Sequence, residues 1–450
     1  MSNVTAISLT APKAAKDNPV VTPELLASVL AKYSRSNKGI KSLLASIDPT
    51  DPDAAVDRIL KFVDYGHASI GGLTGGIAVA IDDVSMYLAY RLFEFSAMAD
   101  GQESSTRYIS LTSESLPDPV SLGFTADQAP KVTALWTKGL DLYHRSYKLL
   151  DEAATKNPEV VRYPANAKPI VIDRIRKNYA LDRARYFLPF ATTTNVALVQ
   201  SARMWTETIS ALTVLGNLGQ TEAKTLAEQL KTELSKYCPR LVRHARSKPG
   251  WVKAMQEELE LSVTSSKNVY SELQPPAVQV LNAGTVERLD KQLADSISIR
   301  ENRYDRCGVV ARQTPISIFW PQLPIAELRD LNRHRTGGRF SPLSHEGFYL
   351  PREVTSLGLD ADINAFLEEL NEFAATVPAS LAGYIRFLGS ITSYSHSTMF
   401  DKYVYTTELR TGAGAHFLYA EKYRETVEAL QAQGYSATVA NIHLGDAEPE

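Results

Sequence analysis

Residues 314–340 read TPISIFWPQLPIAELRDLNRHRTGGRF, and this stretch decides the fold class. Ile316, Ile318 and Trp320 alternate along it, the period-two mark of a half-buried strand. Residues 324–334 then read as a helix, which ends in Arg333-His334-Arg335 and unwinds into Thr336-Gly337-Gly338-Arg339. Three consecutive basic residues cannot all face one way on a helix. At a helix end that dissolves into glycines they can fan around an anion, and the planar fork of arginine suits phosphate. A solvated basic patch satisfies the same spacing.

The same order of elements occurs upstream. Ile77, Val79 and Ile81 alternate as a strand, Asp82-Asp83 interrupts it, and residues 84–93 read as a helix. Leu135, Trp136, Leu140, Tyr143, Tyr147 and Leu150 recur every three or four residues, predicting a long amphipathic helix. Residues 195–234 read as helix with a break near Gly216 and Gly219. In the second half, Ile363, Phe366, Leu367, Leu370 and Phe373 predict another amphipathic helix, with residues 400–407 and 417–430 helical too. Earlier, Thr22-Pro23-Glu24 has the capping hydroxyl, proline and acid of a helix start. Strand, helix, loop, long helix and a helical end thus occur twice, at a spacing of roughly 200 residues, which suits a duplicated domain. The expectation is an α+β fold of two tandem domains, 1–265 and 266–450, each a small twisted sheet with long helices. Ser, Asn, Gln and Pro accumulate between residues 262 and 280, where the boundary is expected.

Of the 450 residues, 44% are hydrophobic and 22% charged, a globular balance with length for more than one core. The formal net charge of −3 gives no reason to expect a nucleic-acid polymer as partner. Only Cys238 and Cys307 are present, too few for a disulfide framework or a thiol metal cluster, so a reducing, cytoplasmic setting and no metal are expected. Residues 1–16 lack an apolar run and no stretch of eighteen apolar residues occurs, so neither a signal peptide nor a membrane span is expected.

Four further segments can carry chemistry. Gln102-Glu103-Ser104-Ser105-Thr106-Arg107-Tyr108 packs three hydroxyls and one arginine, a set that can cradle a phosphate, while Glu103 could hold a sugar hydroxyl. An ordinary Ser/Thr-rich loop has the same composition. Glu408-Leu409-Arg410-Thr411, with His416 following, offers an arginine that could stabilise a developing anion, or one merely paired with Glu408. Gly66-His67-Ala68-Ser69 precedes the first long strand, where a lone histidine is more often structural than catalytic. The pairs Gly71-Gly72 and Gly75-Gly76 precede that strand instead of following it, so a dinucleotide-binding turn is excluded there. Neither a phosphate-binding Walker sequence nor a Gly-x-Ser-x-Gly elbow occurs.

Together these segments resemble the flavin-dependent thymidylate synthases. That family's signature is Arg-His-Arg, a spacer, then Asn-Glu-x-Ser-x-Arg-Tyr, with a Gly-His-x-Ser/Thr segment upstream. An Arg before Leu-Pro, an Asn-Ala-Arg helix and a Leu-Arg followed by His lie downstream. The first half keeps Gly66-His67-Ala68-Ser69, the signature's tail at residues 102–108, Arg185-Tyr186-Phe187-Leu188-Pro189 and Ser201-Ala202-Arg203. Its signature front reads Arg91-Leu92-Phe93, and the region near Val214 and Leu218 is apolar where the family has Leu-Arg. The second half keeps Arg333-His334-Arg335, Leu409-Arg410 and His416, but its tail, Ser341-Pro342-Leu343-Ser344-His345-Glu346-Gly347-Phe348-Tyr349, lacks the arginine. The counterpart of the Asn-Ala-Arg helix, around Met399 and Asp401, lacks it too. In the family each site is assembled from several subunits of a homotetramer, and the two halves here keep complementary sets.

The resemblance implies methylation of dUMP to dTMP with bound FAD, methylenetetrahydrofolate and NADPH, in one composite site built from both halves. It implies a homodimer that forms a pseudo-tetramer. It assigns Arg410 and His67 to catalysis, the first over the pyrimidine ring and the second toward folate. FAD would be held by Arg333, His334, Arg335, His416, Ser69, Arg203 and Glu103. The nucleotide would be held by Ser104, Ser105, Thr106, Arg107, Arg185, Arg333 and Asp330. Asp330 stands where the family usually has glutamine, and a carboxylate suits an amino group better than a carbonyl. One-carbon modification of another pyrimidine nucleotide, such as a cytosine one, is therefore an alternative. A non-catalytic flavin- or nucleotide-binding homologue, or a structural subunit, are the others.

Overall fold

The computed structural model describes residues 3–8, 22–25, 27–28, 46–48, 50–51, 54, 56–58, 76–96, 100–104, 106, 111–163, 168–264, 277–281, 284–334, 336–412 and 414–446. The chain divides into two compact units. The first comprises Met1–Ser105, Leu111–Thr133 and Phe190–Glu258, and the second Thr106–Ser110, Ala134–Pro189 and Leu259–Glu450. Helices and antiparallel sheets make up both, an α+β architecture.

The first unit holds an antiparallel sheet of β1 (Asn3–Ser8), β2 (Ile77–Ser85), β3 (Asp100–Glu103) and β4 (Thr193–Gln200), in the order β1-β2-β4-β3. Asp82-Asp83 does not end β2 as its polarity suggests. Three residues from Ile81 to Val84 are crossed against two from Val196 to Thr194, which is a one-residue bulge. Asp83 takes the unusual φ of +56° there, and its N–H donates to Asn195 Oδ1 at 3.0 Å. The helix Met86–Phe95 begins directly after the strand. Ser85 Oγ caps it by accepting from Leu88 N, and its first two N–H groups donate to Thr192 O and Phe190 O at 2.9 and 2.8 Å. Those carbonyls satisfy donors that a helix start leaves orphaned.

Residues 195–200 belong to β4 and are not the start of a helix. Thr194, Val196, Leu198 and Gln200 point inward, while Asn195 and Ala197 point out. The helix follows at Ala202–Asn217, capped by Ser201, and after the break at Gly219 a second runs over Thr221–Leu234. Trp205 is fully buried and donates from Nε1 to Ile77 O at 2.9 Å, fastening the first of these helices to β2. Arg91, in the degenerate signature front, is buried against Glu94 and Glu258 at 2.5 and 2.6 Å.

The second unit contains β5 (Ala277–Val280), β6 (Pro315–Pro324), β7 (Gly338–Phe340) and β8 (Ile391–Met399), ordered β5-β6-β8-β7. Its design repeats the first sheet in detail. A one-residue bulge lies between Trp320 and Leu323, where Pro321 has no N–H to leave unpaired. The helix Ile325–Leu331 starts three residues after the bulge. Its Ile325 and Ala326 N–H groups donate to Ser390 O and Leu388 O at 3.1 and 2.9 Å. The helix is shorter than the sequence suggests, since residues 332–334 form the turn beyond it.

The long helix Ala129–Lys156 and the helix Pro169–Ala184 also pack here, from Ala134 on. Trp136 is fully buried and donates to Tyr384 O at 3.1 Å. Gly139 lets this helix approach the aromatic core, because a Cβ there would lie 2.3 Å from the Phe387 ring. That core is a run of ring contacts: Phe187 stacks on Phe348 at 5.7 Å, and Phe366 meets Phe387 edge-on at 4.9 Å. Trp320 stacks on Tyr394 and meets Tyr423 edge-on, which fixes β6 against the helix Phe417–Ala432.

Candidate functional site

The site grows from the end of the helix Ile325–Leu331. Gly337 has φ +82°, and a Cβ there would fall 2.0 Å from Ser397 O, so only glycine lets the chain fold back into β7. The turn between is clamped from both sides. Arg339 Nη1 donates to Asn332 O, and His396 Nε2 donates to Thr336 O at 2.6 Å.

Arg410, the last residue of the helix Phe400–Arg410, completes the clamp. Its Nε donates to His334 Nε2 at 2.6 Å, its Nη2 to Asp330 O at 2.6 Å and its Nη1 to Tyr419 OH at 3.3 Å, with the guanidinium over the Tyr419 ring. An imidazole that accepts on Nε2 carries its proton on Nδ1, so His334 is neutral. Burial, and then the positive charge of Arg410, push its pKa down to about 2. Glu408 does not compete for Arg410. It is buried in a two-point ion pair with Arg300, Nη2 to Oε1 at 2.7 Å and Nη1 to Oε2 at 3.1 Å.

Deeper in the unit lies a carboxylate that the sequence reading passed over. Glu327 is fully buried on the same helix, three residues before Asp330. Its Oε1 accepts from Arg185 Nη2 at 2.7 Å and Tyr186 OH at 3.0 Å, and His416 Nδ1 lies 3.0 Å away. His416 also caps the helix Phe417–Ala432, its Nδ1 facing Leu418 N at 3.3 Å, the longer of the two contacts. Burial pushes the Glu327 acid up to about 7, and Asp330 nearby adds to this while Arg185 opposes it. Asp330 goes the other way. Burial would raise it, but Arg185, Arg410, Arg333 and Arg329 together hold it below the ordinary carboxylate range. Its oxygens lie 3.7 Å from Arg185 Nη1 and 4.0 Å from Arg333 Nη2.

A cavity of about 1030 Å³ opens beside Arg333, His334 and Arg410. Seven arginine or lysine side chains line it against two aspartates, so it is strongly basic within a chain of net charge −3. The structure thus gathers Arg185, Asp330, Arg333, His334, Arg410 and His416 in the second unit. Arg333, His334 and Arg410 line the cavity, whereas Arg185 and His416 face Glu327. Thr106 is buried in the same unit. Glu103, Ser104 and Arg203 belong to the first unit, where Arg203 lies 3.5 Å from Glu207 and Ser104 N donates to Asn195 O. His67, Ser69, Ser105, Arg107 and Arg335 lie outside the described residues. Glu327, Tyr186, Arg300 and Tyr419 went unnoticed in the sequence. The one signal was a glutamate placed among Ile325, Ala326 and Leu328, with an aspartate one turn on.

A basic cleft beside a neutral histidine and a fixed arginine has the chemistry that suits a phosphorylated, anionic ligand. Over residues 20–240 the chain matches the family Thy1, thymidylate synthase complementing protein, so the resemblance read from the sequence is borne out at the level of the family. Among its relatives, a UPF0159 protein of Chlamydia pneumoniae is 25% identical over 425 residues, covering 78% of this chain and 76% of that protein. That alignment is too long for either half alone. A UPF0159 protein of Chlamydia muridarum is 27% identical over 261 residues, 51% of this chain and 47% of its own length. Among solved structures, the UMP/dUMP methylase PolB from Streptomyces cacaoi bound with 5-Br dUMP is similar at 14% identity and a TM-score of 0.34, covering 54% of this chain and 94% of that one. Among the described residues no helix is long and apolar enough to cross a membrane.

Proposed function

We propose that the chain is a thymidylate synthase-like enzyme that methylates a pyrimidine nucleotide, dUMP first among them, with FAD, NADPH and methylenetetrahydrofolate. The observation that carries this is the setting of Arg410. Its neighbour Glu408 is neutralised by Arg300, and the guanidinium is aimed by His334 and Asp330 O. A fixed positive charge of this kind stabilises an anion developing on a pyrimidine ring.

The cleft suits a dinucleotide flavin. Its volume is at the upper end for bound small ligands, and its excess of cations matches two phosphates. Arg333 and His334 would hold that flavin, with Arg335, Ser69, Arg203 and Glu103 as further contributors. When bound, the flavin supplies the reducing equivalents and methylenetetrahydrofolate the carbon. The protein's own work is positioning. Neutral His334 accepts from Arg410 and keeps it pointed. Arg185 and His416 act through Glu327, which braces the helix that carries Asp330 and leads into the turn of Arg333. Ser104, Ser105, Thr106 and Arg107 would take the nucleotide phosphate, and His67 would orient folate. Such a site draws on both halves of a duplicated chain, 1–265 and 266–450. Arg185 belongs to the first half of the sequence but to the same compact unit as Glu327 and Asp330, beside which it lies. A cytoplasmic homodimer with the arrangement of a pseudo-tetramer completes the proposal.

The test is the visible spectrum of the protein with FAD, before and after NADPH and dUMP. Bound flavin that bleaches with NADPH, faster with dUMP, supports the proposal, and absence of flavin binding at saturation refutes it. The ionised state of Asp330 favours a second reading. A carboxylate only accepts hydrogen bonds, which suits the amino group of cytosine. Competition between dUMP and dCMP decides, and a clear preference for dUMP removes the cytosine reading.

A further inference from the structure

Most of the positive charge in the cleft comes from residues other than Arg333 and Arg410. Residues 300–307 carry Arg300, Arg303 and Arg306 at every third position, and Arg312 follows. Arg300 is spent on Glu408. Among the described residues, no carboxylate lies within 4.0 Å of Arg303, Arg306 or Arg312. Of the two acids of the lining, Asp305 is turned to the main chain of its own loop and Asp401 to the neighbouring Lys402. Asp305 accepts from Glu301 N and Asn302 N at 2.9 and 3.0 Å, and Asp401 lies 3.2 Å from Lys402.

The loop is held in shape by its own bonds. Tyr304 N donates to Asn302 Oδ1 at 2.8 Å, Gly308 N to Ser296 O at 2.8 Å and Arg312 Nε to Cys307 O at 3.0 Å. It therefore presents its side chains without needing to order first. Tyr304 is 76% exposed, and its ring lies 6.1 Å from that of Tyr405, which also lines the cleft. Two tyrosine faces beside the guanidinium groups of Arg303 and Arg312, which bond only main-chain oxygens among the described residues, and of Arg306 offer stacking and phosphate binding together.

We propose that residues 300–307, with Arg312, Lys402 and Tyr405, form a subsite for a second nucleoside phosphate, separate from the methyl-accepting nucleotide. The base lies against Tyr304 and Tyr405 and the phosphate meets Arg303, Arg306 and Arg312. The chemistry of the subsite stands without the reading given above. Only its two sources, the adenylate end of the flavin or the phosphorylated adenosine of NADPH, rest on that reading.

Calorimetry with adenosine 2′,5′-bisphosphate and with adenosine, on the full chain, tests the subsite. The bisphosphate should bind about tenfold or more tighter than adenosine, with an affinity that falls as salt rises. R306Q, at an exposed position, should lose most of the phosphate gain. Y304A should weaken both ligands roughly fivefold or more. Equal binding of the two ligands, or variants that bind like the wild type, overturns the proposal. The R306Q variant then separates the sources: weaker flavin binding assigns the flavin, and a raised KM for NADPH assigns the reductant. If the wild type binds flavin and oxidises NADPH and neither changes in R306Q, the subsite serves no ligand of the cleft and the proposal falls. Binding of dUMP should be the same in all three proteins. Failure of flavin and dUMP to bind, with the bisphosphate still bound, refutes the proposed enzyme and not the subsite.

Discussion

Arg300 holds Glu408 through both carboxylate oxygens across 108 residues of sequence, and both side chains are 3% exposed. The pair engages both carboxylate oxygens of Glu408, two residues before Arg410 in sequence. Replacing one member of a buried pair leaves the other charge alone, at a cost of about 3–5 kcal/mol. R300Q should therefore unfold at markedly lower urea concentration than the wild type. Restoring neutrality with R300Q/E408Q should recover part of the loss. A double variant no more stable than R300Q would mean that the pair contributes by packing alone.

Arg410→Ala should lower turnover roughly 100-fold or more, the usual range for removing a group that faces developing charge. The fold should survive, as near-ultraviolet circular dichroism would show. Arg410→Lys should not rescue, because an ammonium cannot bond His334, Asp330 O and Tyr419 in one plane. Rescue by lysine would mean that charge matters and direction does not.

The buried titratable groups give stability a definite pH dependence. An unfolded histidine binds its proton near pH 6.5, whereas folded His334 does so only near 2 and His345 near 4. Between these values the unfolded chain holds more protons, so stability falls as pH drops below about 6.5. Glu327 acts in the opposite sense. Its folded pKa is about 7 against 4.5 unfolded, so its contribution is lost as pH rises through that window. Two histidines outweigh one acid, and the net expectation is acid lability. E327Q removes the opposing group, so its urea midpoint should fall more steeply between pH 6.5 and 4.5 than that of the wild type. H334N should fall less steeply. An unchanged slope in E327Q would show that Glu327 titrates near its ordinary value.

Gly337→Ala and Gly338→Ala form a matched pair. At Gly337 a methyl group meets Ser397 O at 2.0 Å, while at Gly338 nothing lies within 4 Å. The first change should cost on the order of 2–3 kcal/mol and weaken flavin binding, and the second should cost little of either. Equal thermal unfolding of the two variants would deny that this turn is strained around glycine.

Much of the scaffold was legible in the sequence because it is local. The alternation of Ile316, Ile318 and Trp320, the helix carrying Trp136 and the glycines after Arg333-His334-Arg335 all form as expected. Asp82-Asp83 was misread because a bulge imitates a break: polarity is the same in both, and only the partner strand tells them apart. Residues 195–200 were misread because Ala197 and Val199 face outward, which hides the two-residue period. The buried Glu327 and the Arg300–Glu408 pair were out of reach for another reason. Each depends on partners 100 to 150 residues away, and no window of sequence contains both members.

The helix after each bulge is tethered by carbonyls of the chain entering the third strand, Thr192 and Phe190 in one sheet, Ser390 and Leu388 in the other. Main-chain oxygen is blind to side-chain identity. Either sheet can therefore carry different side chains around that junction and still launch its helix from the same point. A fold anchored in this way lets the side chains around each junction change without losing the frame that displays them.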